Sequence, residues 1–213
     1  MNQTTVTTRQ TSALLAAGVA AGPVFILTAV AQILFRDGFD LSRHPLSLLS
    51  LGDLGWIQIT NFVVSGLLVL AFAVGLRQVL HPGRAGTWGP ILVCAFGVGL
   101  ILGGAFLTDP SLGFPVGAPA DLPETRSRHA IVHDLAPGLA LDAIIVATIV
   151  VARRFARGRQ WSWVAYCAAT GTAVLVLSFW PSLDGISIRL ALAVATAFAW
   201  VSALAVRLRA DLA

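Results

Sequence analysis

Apolar residues fill six long stretches of this chain, and charged residues gather in short clusters between them. The divisions fall at Arg9, Arg36/Asp37, Asp53, Arg77, Arg84, Asp109, residues 121–128, residues 153–159, Asp184 and Arg207. A helix rising ~1.5 Å per residue crosses ~30 Å of hydrocarbon in about 20 residues, and nearly every stretch reaches that length. The pattern predicts spans at about 12–35, 55–77, 86–108, 129–152, 161–181 and 187–207. The expected fold is all-α: a polytopic six-helix transmembrane bundle, with residues 1–213 forming one integral membrane domain. Asp134 and Asp142 interrupt only the fourth stretch.

Composition agrees, since 57% of residues are hydrophobic and only 11% charged, against about a quarter charged in soluble domains. The formal charge of +4 comes from arginine alone, as lysine is absent. These arginines sit at span ends, where orientation accounts for them, so no nucleic-acid partner is expected. With the N-terminus inside, nine arginines fall on the inner segments and five on the outer ones. The positive-inside rule then predicts both termini in the cytoplasm. The lysine-free, Ala/Val/Leu/Gly-rich usage suits a GC-rich bacterial genome, so a bacterial inner membrane is expected. Ala29-Val30-Ala31 resembles a signal-peptidase site, but the first stretch is long for a signal peptide and is expected to stay uncleaved. Six tryptophans near predicted ends suit interfacial anchoring. Gly18-x-x-x-Gly22 and Gly99-x-x-x-Gly103 permit close helix approach, within the chain or in a homo-oligomer.

Function must be sought where polar groups break the pattern. Between spans one and two, Pro45 and Gly52 bracket a short interfacial helix that puts Ser47 and Ser50 on one face. On span two, Gln58, Asn61 and Ser65 form a stripe that should turn inward, either as interhelical glue or as the wall of a polar pocket. Pro and Gly density after Asp109-Pro110 predicts a folded-back loop between spans three and four. Span four opens with His129 and His133 one turn apart, followed by Asp134. His44 and Asp109 could complete a metal site, yet His-x-x-x-His without the zinc-protease glutamate is weakly specific. No cofactor is predicted, with a divalent metal the one left open. Deeper in that helix Asp142 lies near mid-bilayer, roughly opposite the histidines, as a functional carboxyl or one hydrogen-bonded to Thr148, Thr170 or Thr172. Arg189 opens span six, where three helix N-termini would favour an anionic group although the acidic loops oppose it.

His44-Pro45-Leu46-Ser47, the Gly52–Trp56 turn, Asn61-Phe62 with Gly66, Asp109-Pro110, Gly113-Phe114-Pro115 and His129/His133 together resemble the domain-of-unknown-function 998 family. The resemblance covers about residues 12–208 and implies six-span bacterial and archaeal membrane proteins without an established activity. Ala130 stands where the family tends to have glycine, Leu107-Thr108 replaces a Phe-Pro lead, and the glutamine that often precedes Arg189 is missing. Three functions remain in view. The first is a binding protein that takes a membrane lipid or amphipathic small molecule into an outward-facing polar pocket. The second is an intramembrane hydrolase or acid-base enzyme using His44, Asp109, His129, His133 and Asp134 on a lipid-like substrate. The third is a transporter coupled to protons through Asp142.

Overall fold

The computed structural model describes residues 3–212. Six α-helices carry the chain: α1 (Gln3–Phe35), α2 (Gly55–Leu80), α3 (Arg84–Ala105), α4 (Arg128–Arg157), α5 (Trp161–Phe179) and α6 (Ile186–Ala210). All six are long and apolar enough to cross a membrane. Their apolar residues surround each axis rather than forming one stripe, because lipid as well as neighbouring helices must be met with hydrocarbon. Leu27, Leu34, Leu67, Val74 and Leu139 stay exposed on that outer surface.

Each helix packs against the next in sequence, and α6 returns to α1, closing an up-down bundle. The connections α1–α2, α3–α4 and α5–α6 lie at one end, called here the cap end. Both helical termini and the α2–α3 and α4–α5 turns lie at the other, the arginine end. Phe25, Phe72, Phe96, Phe198 and Trp200 fill the centre. Phe198 stacks on Phe25 with centroids 4.7 Å apart and meets Phe96 edge-on at 5.3 Å. Only 22% of the apolar window of α5 is buried, against 50% for α2 and α3, so α5 is the peripheral helix.

Both glycine motifs are used inside the chain. A Cβ on Gly18 would come within 2.5 Å of Phe72, and one on Gly22 within 2.7 Å of the Ser202 hydroxyl. Gly99 lies as tightly against Ala136 and Ala140 of α4. Trp200 departs from interfacial anchoring: it lies mid-helix, fully buried, and its indole donates to Cys167 Sγ at 3.4 Å. Trp56, Trp88, Trp161 and Trp180 are exposed at helix ends. Helix α3 stops at Ala105, three residues before its predicted end, because Phe106 turns to extended backbone.

Candidate functional site

The cap end is built from two loops that grip each other. Between α1 and α2, Pro45 leads into a 3₁₀ turn at Leu46–Ser50, and Gly52 leaves it with φ +73°. Between α3 and α4, Ser111 and Phe114 pair as a tight bridge, and Gly113 N–H donates to Pro119 O at 2.8 Å. That loop folds back on itself, as its Pro and Gly content predicts. Leu48, Leu51 and Phe114 make a small apolar core between the loops, joined by Phe39, Leu107 and Leu112.

Polar staples complete the join. His44 Nδ1 accepts from the Asp40 N–H at 2.9 Å, while Nε2 lies 3.0 Å from Leu112 O and donates to it. Both ring nitrogens are therefore occupied, and the ring packs between Phe39 and Phe114. Asp40 accepts from Ser42 N–H and Oγ–H, which holds its carboxyl below the ordinary range. Ser187 at the start of α6 donates to Arg43 O, bringing the sixth helix into the same assembly. Arg36, just past the end of α1, donates to Leu49 O at 3.2 Å and Leu51 O at 2.6 Å. Its guanidinium also lies 5.4 Å from the Phe114 ring centre. Burial weighs against that charge and the Asp53 carboxylate opposes the effect.

At the α3–α4 junction, His133 is buried and its Nδ1 lies 2.7 Å from the Phe106 carbonyl. His129, one turn earlier and exposed, places its ring 5.4 Å from the Phe106 ring. The two imidazoles thus clamp one residue at the point where α3 ends. Asp109 accepts from Ser127 N–H at 2.9 Å, and Ser127 in turn caps α4 by accepting from Ala130 N–H. Asp134 forms an exposed ion pair with Arg126, a kind of contact that contributes little. Arg189 donates to the carbonyls of Ser182 and Asp184, closing the α5–α6 turn. The structure therefore ties His44, Asp109, His133 and Arg189 to main-chain groups rather than to one another. Among the described residues no three His, Cys, Asp or Glu side chains gather as metal ligands would.

The Ser127 hydrogen bonds, helped less by Arg126, hold the Asp109 carboxyl below the ordinary carboxylate range. A lowered folded value stabilises above the unfolded value of ~3.9 and is lost as pH falls through the folded one. Asp109→Asn is thus expected to lower the melting temperature by about 1–4 °C at pH 7, the scale of one anionic group at a helix N-terminus. The gap from wild type should close on acidification below about pH 4. A gap unchanged down to pH 3 in a detergent melting series would show that the charge does not contribute.

Directly beneath the cap lies a polar seam between α1 and α2. Gln58, Asn61 and Ser65 are all buried, as their spacing predicts. Gln32 of α1 joins them, donating to Gln58 Oε1 at 2.7 Å. Asn61 donates to Phe25 O at 3.1 Å and to Gln58 Oε1 at 3.2 Å, and Ser65 donates to Asn61 Oδ1 at 3.4 Å. The seam is only partly satisfied: Gln32 Oε1, Gln58 Nε2 and Ser50 Oγ are buried without a partner. The Ser50 backbone lies against Gly55, one helical turn above Gln58 on the same helix, and a Cβ on Gly55 would reach Ser50 O at 2.3 Å. Ser47 is half-buried on the 3₁₀ turn.

Asp142 stands apart from this seam. It is half-buried on α4 with exposed Gly138, Leu139 and Val146 one turn away on either side. Thr148 donates to Ile145 O instead of to Asp142, and no hydrogen bond or ion pair reaches that carboxyl among the described residues.

Gln32 of the seam and Arg36 of the cap are the residues that sequence reasoning missed. An amide inside an apolar span, one turn from an arginine at its end, was the available signal.

The class is defined by this geometry: a multi-pass membrane bundle whose loops at one end form a stapled cap over a buried polar seam. The particular family follows from comparison of the sequence, in which residues 19–207 match the family described as "Protein of unknown function (DUF998)". The chain belongs to that family. No curated protein and no solved structure matches it.

Proposed function

We propose that this chain is a binding protein of a bacterial cytoplasmic membrane that holds the polar end of a lipid or amphipathic small molecule beneath its cap. Both termini lie in the cytoplasm in this reading, supported by nine arginines at the arginine end against five at the cap end. The cap then faces outward.

One observation carries the binding function: a buried acceptor and donor (Gln32 Oε1 and Gln58 Nε2) lie unpartnered beneath the cap, and a buried hydroxyl (Ser50 Oγ) is unpartnered on the 3₁₀ turn above them. Each unsatisfied buried polar group costs about 1–3 kcal/mol, so a guest carrying both donor and acceptor would be favoured. A hydroxyl- or amide-bearing headgroup has that character, and ordered water is the competing guest. His44 and Asp109 act here as positioning residues, holding the two loops that cover the seam. The enzyme reading is weakened because His44 uses both ring nitrogens, Asp109 accepts from Ser127 and Asp134 pairs with Arg126.

Native mass spectrometry of protein reconstituted with a mixed polar lipid extract tests this. The wild type should retain a bound species that Gln58→Leu weakens about tenfold, the equivalent of one good hydrogen bond. His44→Ala should release it faster, while Thr196→Ala on α6 leaves it in place. A wild-type protein that emerges bare, or Gln58→Leu retaining the same mass equally, would overturn the reading.

A further inference from the structure

An open groove of about 400 Å³ runs between α4 and α5, away from the capped seam and sharing none of its residues. Ile145, Ile149 and Ala152 line one side, Val164, Ala168 and Leu175 the other. The helices touch where Gly171 meets Thr148, since a Cβ on Gly171 would reach the Thr148 hydroxyl at 2.5 Å. Toward the arginine end, the small side chains of Ala152, Ala156 and Ala168 leave the space open, and Arg153 stands at that mouth. The lining from Ile145 to Ala156 rises about 16 Å along α4. That is about half of the ~30 Å hydrocarbon layer, the depth of one leaflet.

Charge at the mouth has one sign. Arg153, Arg157 and Arg159 are exposed within a stretch, residues 149–168, that contains no acidic residue. The ion pairs among the described residues are Arg126–Asp134 and Arg207–Asp211, neither of which involves these arginines. Arg154, also exposed, donates to Leu80 O. An apolar slot one leaflet deep, open to the side and topped by unpaired cations, matches an acyl chain joined to a phosphate.

We propose that the α4–α5 groove holds one acyl chain of an anionic phospholipid from the leaflet at the arginine end, with its phosphate on Arg153. Packing fills the slot with hydrocarbon, while the guanidinium selects the headgroup. This site lies at the opposite end of the bundle from the seam under the cap, so either can fail without the other.

The test uses nanodiscs of equimolar phosphatidylglycerol and phosphatidylcholine with matched chains, and native mass spectrometry counts each lipid retained. Wild type should favour phosphatidylglycerol by about fivefold or more, the scale of one basic residue near a membrane surface. Arg153→Gln should remove most of that preference. Ala168→Phe, at an exposed position in the groove wall, should reduce retention of both lipids. Arg84→Gln, an exposed arginine at the same end on α3, should change neither. Equal retention of the two lipids by wild type would overturn the proposal, as would an intact preference in Arg153→Gln. So would a lipid-free two-chain species that Ala168→Phe dissociates, since a second copy would then occupy the groove.

Discussion

Arg36→Met is expected to lower the melting temperature of the detergent-solubilised protein by about 5–15 °C, from a loss of about 2–4 kcal/mol. The guanidinium holds Leu49 O and Leu51 O together on the 3₁₀ turn, where Leu49 is fully buried. Methionine keeps the apolar stem but leaves those carbonyls without their charged donor. It also gives up the contact with Phe114, through which the first loop meets the α3–α4 loop. Arg36→Lys should recover only part of the loss, because an ammonium cannot fork to two carbonyls as a planar guanidinium does. Limited proteolysis gives a second readout: cleavage within residues 106–127 should accelerate in Arg36→Met while the helices remain protected. A melting temperature within 2 °C of wild type, with unchanged cleavage, would mean that the cap is held mainly by its apolar core.

The helices were legible because the bilayer imposes a length, and only charge clusters could divide so apolar a chain. The inward turn of Gln58, Asn61 and Ser65 was legible for a related reason: an amide facing lipid has no partner. The cap was not. His129 and His133 carry metal-ligand spacing, but their actual partners are the Phe106 ring and carbonyl. Every sequence position has a carbonyl, so nothing in the residue string marks which one a histidine will grip. His44 poses the same difficulty, since its acceptor at Leu112 lies 68 positions away. Trp200 was placed by its nearness to a predicted end, whereas α6 continues to Ala210 and puts that ring at mid-helix beside Cys167.

The polar groups at the cap end thus act in two layers. Charged and imidazole side chains fasten loops through main-chain carbonyl and N–H groups, and the amides beneath keep unused hydrogen-bonding capacity. This division matters for reading mutants. Loss of a staple should loosen whatever is held below it, whereas loss of a seam amide should alter binding in a cap that remains closed.

The packing between α3 and α4 supports one of those staples and yields a sharper test, because one glycine motif contains two different environments. A Cβ on Gly99 would meet Ala140 Cβ at 2.5 Å and Ala136 O at 2.8 Å, the latter being backbone that cannot move aside cheaply. At Gly103 the nearest atom is Pro137 Cγ at 3.6 Å, an ordinary van der Waals contact. Gly99→Ala should therefore force α3 and α4 apart at an overpacking cost of about 1–3 kcal/mol. Gly103→Ala meets no such obstacle and should gain the ~0.5–1 kcal/mol by which alanine favours a helix interior. The two variants change the same atom in the same helix, one turn apart, so propensity cancels between them. Their melting temperatures should differ by about 2–12 °C, with Gly103→Ala at or above wild type. Separation of the helices would also draw His133 of α4 away from the Phe106 carbonyl, so Gly99→Ala should expose the α3–α4 loop to protease as well. Equal melting temperatures for the two variants would show that α3 and α4 are not in this close register, and the clamp on Phe106 would lose its foundation.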